Sequence, residues 1–275
     1  MLKQRIITAV ILAAVFFAAL FGLSTLYFAG LCLVPLMAAV YEWGKLTGLN
    51  AAGSLAVAGG VLLTGLVLLF NTGFSAARGF PDVPVLALCG AASAFWIVVA
   101  PLWLHYGWTT QRPVTMAILG ALVMLAMWMA MAQLHARSPW LLLAAMMVVW
   151  IADTAAYFAG RKFGRRKLAP VISPGKSWEG VYGALVCVFV YAVLLVLFSP
   201  LAAHAELSHP LIVVSVLVLA IVSVVGDLFE SWLKRQAGVK DSGTALPGHG
   251  GVLDRIDALM PVLPLATLLV VLMSQ

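Results

Sequence analysis

Long apolar stretches alternate with short polar connections along almost the whole chain. A helix that crosses a bilayer needs about 20 mostly apolar residues, and several of these stretches reach that length. The pattern predicts nine spans, at approximately 5–22, 25–46, 51–70, 83–104, 113–134, 139–160, 178–198, 209–231 and 252–273. We therefore expect an all-α, polytopic integral membrane protein.

The composition excludes a soluble globular domain and a disordered chain. Of the 275 residues, 64% are hydrophobic and 9% are charged, whereas charged residues make up about 25% of a typical soluble domain. The net charge of +6 therefore indicates membrane topology and lipid contact, and we expect no nucleic-acid partner. The three cysteines occur singly in apolar runs, so we expect small buried packing residues and no disulfide framework.

The positions of the cationic residues predict how the chain is oriented in the membrane. If the N-terminus lies in the cytoplasm, all 16 Lys and Arg residues except Arg78 and Arg137 fall on the cytoplasmic side. Cytoplasmic loops are rich in Lys and Arg, so we expect a cytoplasmic N-terminus and a C-terminus outside. The first span follows Lys3 and Arg5, as in a signal peptide, but no convincing cleavage site follows, and we interpret it as a retained helix.

The acidic residues divide the chain into two regions. Residues 1–150 hold two of the ten acids, and we expect this region to supply about five transmembrane helices for packing and oligomer contacts. Residues 151–275 hold the other acids. We expect them to form a catalytic transmembrane region whose polar loops, 161–177 and 232–251, share the cytoplasmic side.

Charged side chains inside apolar spans are costly and indicate function by default. The late spans contain Asp153, Asp227 and Glu230. Glu42, near the end of the second span, is close in sequence to Lys45, and here we expect a local ion pair at the membrane interface. The chemistry is therefore expected in the second half of the chain.

Helical spacing places several polar residues together. Asp227, Ser231 and Lys234 follow one another at helical intervals and share one face. Asp254 and Asp257 open the last predicted span and should be neighbours on its surface. Both groups lie at predicted cytoplasmic ends of spans. Carboxylates from two helices would suit a hard cation such as Mg²⁺, held together with water and substrate phosphates.

The basic loop 161–177 favours contact with a polyphosphate, although an anchor for anionic lipid headgroups or a plain topology signal is the alternative. Within it, Lys176 is surrounded by turn-forming residues, which favours a phosphate contact. The fragment Gly175-Lys176-Ser177 resembles the end of a P-loop, but Pro170 stands where the leading glycine would be, so we exclude a P-loop NTPase. His249 lies in a glycine-rich loop between acidic helix ends, and we expect a site role for it.

The segment 231–257 reads SWLKRQAGVKDSGTALPGHGGVLDRID. It closely resembles the phosphatidate cytidylyltransferase (CDP-diacylglycerol synthase) family, whose pattern runs S-x-x-K-R, four residues, K-D, a P-x-H-G-G turn and D-R-x-D. The matching positions are Ser231, Lys234, Arg235, Lys240, Asp241, Pro247, His249, Gly250, Gly251, Asp254, Arg255 and Asp257. Segments 226–230 and 173–180 and Asp153 also resemble family motifs, whereas the first 150 residues match only in their apolar character.

The resemblance implies the reaction CTP + phosphatidate → CDP-diacylglycerol + pyrophosphate, with Mg²⁺ and a possible second cation. It also implies a bacterial inner-membrane protein, a site on the cytoplasmic side and a homodimer. The implied catalytic residues are Asp227, Asp254, Lys234 and Arg235. The implied metal ligands are Asp227 and Asp254, with Asp257 and Glu230 as candidates for a second cation or for supporting contacts. The implied substrate-binding residues are Ser173, Lys176, Ser177, Ser231, Lys240, Asp241, His249 and Arg255.

Three other functions stay open on the sequence alone. A secondary transporter also has intramembrane acids and broken helices, although here the acids cluster towards one side and no inverted repeat is visible. A different membrane phosphotransferase could act on an activated nucleotide or a prenyl phosphate. An inactive membrane scaffold could keep the motif without turnover.

Overall fold

The computed structural model of this chain describes residues 2–109, 112–199, 208–246, 248 and 250–272. The helices are α1 Leu2–Gly22, α2 Thr25–Leu46, α3 Ala51–Asn71, α4 Asp82–Ala94, a π-helical turn Phe95–Val99, α5 Ala100–Tyr106, α6 Pro113–Arg137, α7 Pro139–Phe163, α8 Trp178–Phe198, α9 His209–Gln236, a 3₁₀ turn Leu253–Arg255 and α10 Leu259–Leu272. A two-stranded sheet, β1 Lys167–Ala169 and β2 Ser173–Ser177, lies between α7 and α8.

Seven helices among the described residues are long and apolar enough to cross a bilayer. Two further apolar helical stretches of 10–17 residues are Ile6–Gly22, which is part of α1, and Leu259–Leu272, which is α10. Each of the nine predicted spans therefore contains a helix, and the predicted all-α membrane fold is confirmed. The number of membrane crossings and the sides of the termini stay predictions.

The last helix begins later than the sequence predicts. Residues 252–258 form turns, and α10 starts at Leu259 with Pro261 in its first turn, where a missing N–H costs little. The expectation that Asp254 and Asp257 share the face of a regular helix is therefore wrong. An aspartate side chain can compete with helical hydrogen bonds by accepting from nearby amides, and Asp254 accepts from such an amide here.

A proline accounts for the irregular middle of the fourth predicted span. The π-helical turn Phe95–Val99 joins α4 to α5, and Pro101 is the second residue of α5. Because proline has no N–H to donate to the preceding turn, the backbone widens at this point. Together the three helical pieces, Asp82–Tyr106, are long enough to cross a bilayer as one unit.

Contacts between distant segments define the two ends of the helix bundle. At one end, the last turns of α1, α6 and α10 meet, as in the 2.8 Å hydrogen bond from Arg137 Nη1 to Val270 O. At the opposite end, the last turns of α2 and α9 meet the β-hairpin and the segment 242–255. The helix ends that meet are those that the distribution of Lys and Arg predicts to lie on the same side of the membrane.

An aromatic cluster positions α9 within the bundle. Phe229 is fully buried, and its ring centroid lies 5.3 to 6.1 Å from those of five other rings. These rings belong to Trp43, Phe95, Trp96, Trp103 and Trp232. Such pairs contribute about 0.5–1.5 kcal/mol each beyond area burial. The cluster therefore sets the rotation of α9 and the direction of its polar residues.

The cysteines follow the expectation only in part. Cys89 is buried and Cys32 is partly buried, but Cys187 is exposed on α8. The buried stripe of α8 consists of Gly180, Ala184, Val188 and Ala192, at intervals of one helical turn. Cys187 lies outside this stripe, so its expected burial is wrong.

The basic loop 161–177 contains secondary structure that its polar composition did not indicate. Strands β1 and β2 pair antiparallel, with Lys167 opposite Ser177. The pairing places β2 directly before α8, so the predicted site residues on β2 have a fixed position relative to that helix.

Candidate active site

Lys234 joins two carboxylates from different parts of the chain. Its ammonium lies 2.5 Å from Glu230 Oε2, one turn earlier on α9, and 2.7 Å from Asp254 Oδ1. The exposed fractions of the Lys234, Glu230 and Asp254 side chains are 12%, 0% and 8%. Charges removed from water are costly unless they are paired. Keeping these three side chains in contact therefore fixes the position of Asp254 relative to α9. The structure thus brings three predicted site residues together.

The second oxygen of Asp254 is held by the backbone. Oδ2 accepts hydrogen bonds from Gly251 N at 2.9 Å and from Ser242 N at 3.0 Å. Burial alone would raise the pKa of Asp254, but the Lys234 ammonium and the Gly251 N–H outweigh it and hold the pKa at about 2. Asp254 is therefore a fixed carboxylate with partners on both oxygens.

Glu42 belongs to this region, although the sequence suggested a different partner for it. The expected ion pair with Lys45 is wrong, because Lys45 is exposed while Glu42 is 6% exposed and reaches the segment after α9. Its carboxylate accepts hydrogen bonds from Ser242 Oγ, Val252 N and Leu253 N at 2.8 to 3.1 Å. An acid within an apolar span was the signal that could have identified it.

A second ion pair lies between α9 and the β-hairpin. Lys176 Nζ is 2.5 Å from Asp227 Oδ2, and Ser231 Oγ donates to Asp227 Oδ1 at 3.4 Å. The Lys176 and Asp227 side chains are 24% and 31% exposed, so both are more accessible than the Lys234 triad. The structure thus places the predicted phosphate contact, Lys176, beside a predicted metal ligand.

This ion pair borders a cavity of about 430 Å³ between α7, α8, α9 and the hairpin. The polar residues on its wall include Asp153, Ser173, Lys176, Ser177 and Asp227. Residues from loop 161–177 and from α9, which the sequence could only place on the same side of the membrane, therefore meet in one cavity.

Polar contacts hold the hairpin against the neighbouring helices. Arg235 Nε on α9 donates to Ile172 O at 3.2 Å, so this predicted catalytic residue supports the hairpin turn. Glu179, in the first turn of α8, accepts from Arg165 N at 3.0 Å and from Arg166 N at 3.2 Å. These contacts hold the hairpin that carries Lys176 against α8 and α9.

The remaining predicted substrate-binding residues occupy varied settings. Ser177 is buried and caps α8 by accepting from Gly180 N at 3.2 Å. The exposed residues are Lys240, Asp241 and Arg255. His249 and the neighbouring Pro247 lie outside the described residues, so the predicted role of His249 stays a prediction.

The four predicted metal ligands fall into two groups. Glu230 and Asp254 share the Lys234 ammonium. Asp227 and Asp257 lie close enough to influence each other. Burial of the Asp257 carboxyl raises its pKa above the ordinary value, and the charges of Asp227 and Asp153 raise that pKa further. Acids that resist ionising together favour a neighbouring cation.

Mg²⁺ fits this second group if part of its coordination comes from elsewhere. Among the described residues, no group of three or more His, Cys, Asp or Glu side chains is arranged to hold a metal ion. Mg²⁺ commonly binds through one or two carboxylates plus water and substrate phosphates. The carboxylates around Asp227 would meet that requirement if a polyphosphate supplied the remaining oxygen ligands.

Comparison with known proteins extends the resemblance over the whole chain. The sequence profile of the cytidylyltransferase family matches residues 3–273. A phosphatidate cytidylyltransferase from Pseudomonas aeruginosa is 37% identical over 271 residues, which cover 96% of this chain and 95% of the relative. One from Haemophilus influenzae is 36% identical over 292 residues, covering 96% of each chain. One from Brucella suis is 50% identical over 113 residues, 41% of this chain and 40% of the relative.

Proposed function

The chain belongs to the cytidylyltransferase family, and we propose that it transfers the cytidylyl group of CTP to phosphatidate, giving CDP-diacylglycerol and pyrophosphate for phospholipid biosynthesis. Relatives of this name that match over nearly their full length support the substrate pair. The observation that carries the proposal is the cavity where Lys176 meets Asp227, because it joins a cation and a carboxylate from two segments that resemble family motifs.

The chemistry is a direct displacement at phosphorus. A phosphatidate oxygen attacks the α-phosphorus of CTP and forms a new P–O bond. The bond from the α-phosphorus to the bridging oxygen breaks, and pyrophosphate leaves. The second pKa of a phosphate monoester is about 6, so the nucleophile is ionised near neutral pH and needs no strong general base. Catalysis then rests on positioning and on charge neutralisation.

Lys176 is the cation to which we assign the first phosphate contact. It borders the cavity and retains 24% exposure while paired with Asp227. Lys234 directs its ammonium to Glu230 and Asp254. The same nitrogen has a third N–H, which we assign to a phosphate oxygen. We assign Arg235 to support of the hairpin and to the electrostatic field around the phosphates.

Asp227 is the carboxylate that we assign to Mg²⁺, with Asp257 or Asp153 as its partner. When bound there, Mg²⁺ supplies neutralisation of the charge on the CTP phosphates. Glu230 and Asp254 stay predicted ligands, but their contacts with Lys234 favour a role in fixing that ammonium.

We place the site on the cytoplasmic side of the membrane. The hairpin, the end of α9 and Glu42 all lie at the end of the bundle where the sequence concentrates Lys and Arg. At this end cytosolic CTP and membrane-embedded phosphatidate can both reach the cavity. The same clustering disfavours a transporter, whose acids lie near the bilayer midplane. The bacterial inner membrane and a homodimer stay predictions.

A transfer assay tests this function. Purified protein in lipid nanodiscs is given labelled CTP and phosphatidate, with and without Mg²⁺, and both products are quantified. We expect CDP-diacylglycerol and pyrophosphate in equal amounts, and no transfer without Mg²⁺. Prenyl phosphate and other phospholipid acceptors in place of phosphatidate test the alternative phosphotransferase. Pyrophosphate release without a CDP-lipid, or phosphatidate movement across proteoliposomes without CTP turnover, would overturn the proposal.

A further inference from the structure

The carboxylates of Glu42 and Asp254 both accept hydrogen bonds from the segment 242–253. Ser242 donates its hydroxyl to Glu42 and its N–H to Asp254. Gly251 N donates to Asp254, and the next amide, Val252 N, donates to Glu42. The two carboxylates therefore divide a single set of donors between them, and a movement of one shifts the donors of the other.

Two glycines allow the backbone to close around Glu42. A Cβ built at Gly243 or at Gly251 would lie too close to the Glu42 carboxylate for a real side chain. Glycine is the residue that permits such a close backbone approach. The segment is thus shaped around a side chain that comes from α2, about 200 positions earlier.

We infer that Glu42 is a positioning residue of the active site, acting through Asp254 on Lys234. The inference rests on the proposed function for its catalytic readout. Glu42 holds the segment through Ser242 and Leu253, the segment holds Asp254 Oδ2, and Asp254 Oδ1 holds the Lys234 ammonium. Glu42 itself does not contact substrate in this scheme.

The variant Glu42→Gln tests the inference with little change of volume. An amide offers one acceptor oxygen and one NH₂ group. In either orientation the NH₂ faces a backbone N–H, of Val252 or of Leu253, and the segment must move. We expect kcat to fall about 10- to 100-fold, the range seen when a group that orients a functional side chain is removed, while the KM for phosphatidate stays unchanged. Ser242→Ala removes only the hydrogen bond from the Ser242 hydroxyl to Glu42 and should produce a smaller fall in kcat.

The coupling of Glu42 to Asp254 distinguishes positioning from general support. We expect the double variant Glu42→Gln, Asp254→Asn to be no slower than Asp254→Asn alone, because both changes act on one chain of contacts. Independent, multiplying losses would overturn the inference. The matched control is Gln133→Leu at the opposite end, where a buried side chain accepts from Phe80 N at 2.7 Å. It should lower stability but leave kcat unchanged.

Backbone hydrogen exchange provides a readout that does not depend on turnover. In Glu42→Gln we expect faster exchange in 242–246 and 250–255, with the Gln133 control unchanged there. Unchanged exchange in these peptides would overturn the inference even if kcat falls. If Glu42→Gln does not fold, Ser242→Ala decides by the same measurements. If the wild type makes no CDP-lipid, the proposed function fails, and hydrogen exchange still decides whether Glu42 holds the segment.

Discussion

Lys234 and Asp254 are 20 positions apart, and Lys234 Nζ lies 2.7 Å from Asp254 Oδ1. The same ammonium lies 2.5 Å from Glu230 Oε2, whose side chain is fully buried. One cation therefore pairs with two shielded carboxyl groups, one on α9 and one on the segment that follows it. This contact ties the end of a transmembrane helix to the turn that precedes α10.

Removing the shared cation should destabilise the protein more than removing one of its partners. Lys234→Met leaves the Glu230 and Asp254 carboxylates unpaired and should cost about 3–5 kcal/mol in the free energy of unfolding. Glu230→Gln leaves the Lys234–Asp254 pair intact and should cost less. Denaturant unfolding in mixed micelles measures both. Equal stability of Lys234→Met and wild type would contradict the buried triad.

Neutralising either principal aspartate should abolish most turnover while the protein still inserts in the membrane. We expect Asp227→Asn and Asp254→Asn each to lose at least about 100-fold in kcat, the scale of one lost ligand or preorganised charge. The matched control is Asp82→Asn, an exposed carboxylate at the start of α4 near the opposite end of the bundle, which should keep full activity. Near-normal turnover in purified Asp227→Asn would remove its assignment to Mg²⁺.

Loss of the hairpin cation should act mainly on CTP. Lys176→Met removes the charge beside the cavity, and we expect kcat/KM for CTP to fall about 100-fold. Lys176→Arg keeps the charge and should lose less. The control is Lys45→Met, which removes an exposed lysine at the end of α2 and should have no effect. Initial-rate kinetics over a range of CTP concentrations test this, and equal losses in both Lys176 variants would point to packing instead of charge.

Acid should remove the contribution of Asp254 to stability. Its pKa is about 2 in the folded protein, below the ordinary value of 3.8, so folding favours the ionised form. A contribution of about 2 kcal/mol should be fully present above about pH 5 and should be lost as the pH falls towards 2. The test compares the unfolding free energies of wild type and Asp254→Asn at about pH 5 and about pH 2.5. A difference between the two proteins that does not shrink in acid would contradict the depressed pKa.

The helices that the sequence predicted best are those whose limits the apolar pattern alone defines. The predicted spans 25–46 and 178–198 coincide with α2 and α8. Prediction was poorer where polar side chains direct the backbone. α9 continues to Gln236, beyond the predicted end at residue 231, and carries Lys234 on its last turns. The start of α10 moved to Leu259 because the preceding residues form polar turns.

The sequence predicted most residues of the site but not which of them contact one another. The motif in 231–257 identified Lys234 and Asp254, yet nothing in it showed that they contact each other. Glu42 was assigned to Lys45 because proximity in sequence was the only information available. Its actual partners lie 200 to 211 positions away.

The sequence by itself determined the membrane class, the approximate helices and the family, because bilayer thickness fixes the length of apolar spans and the motif keeps fixed polar positions. Tertiary structure alone decided that Lys176 pairs with Asp227 and that Lys234 pairs with Asp254. It also decided that the segment after α9 closes around Glu42. These pairings depend on distances between elements that the periodicity within any one helix does not encode.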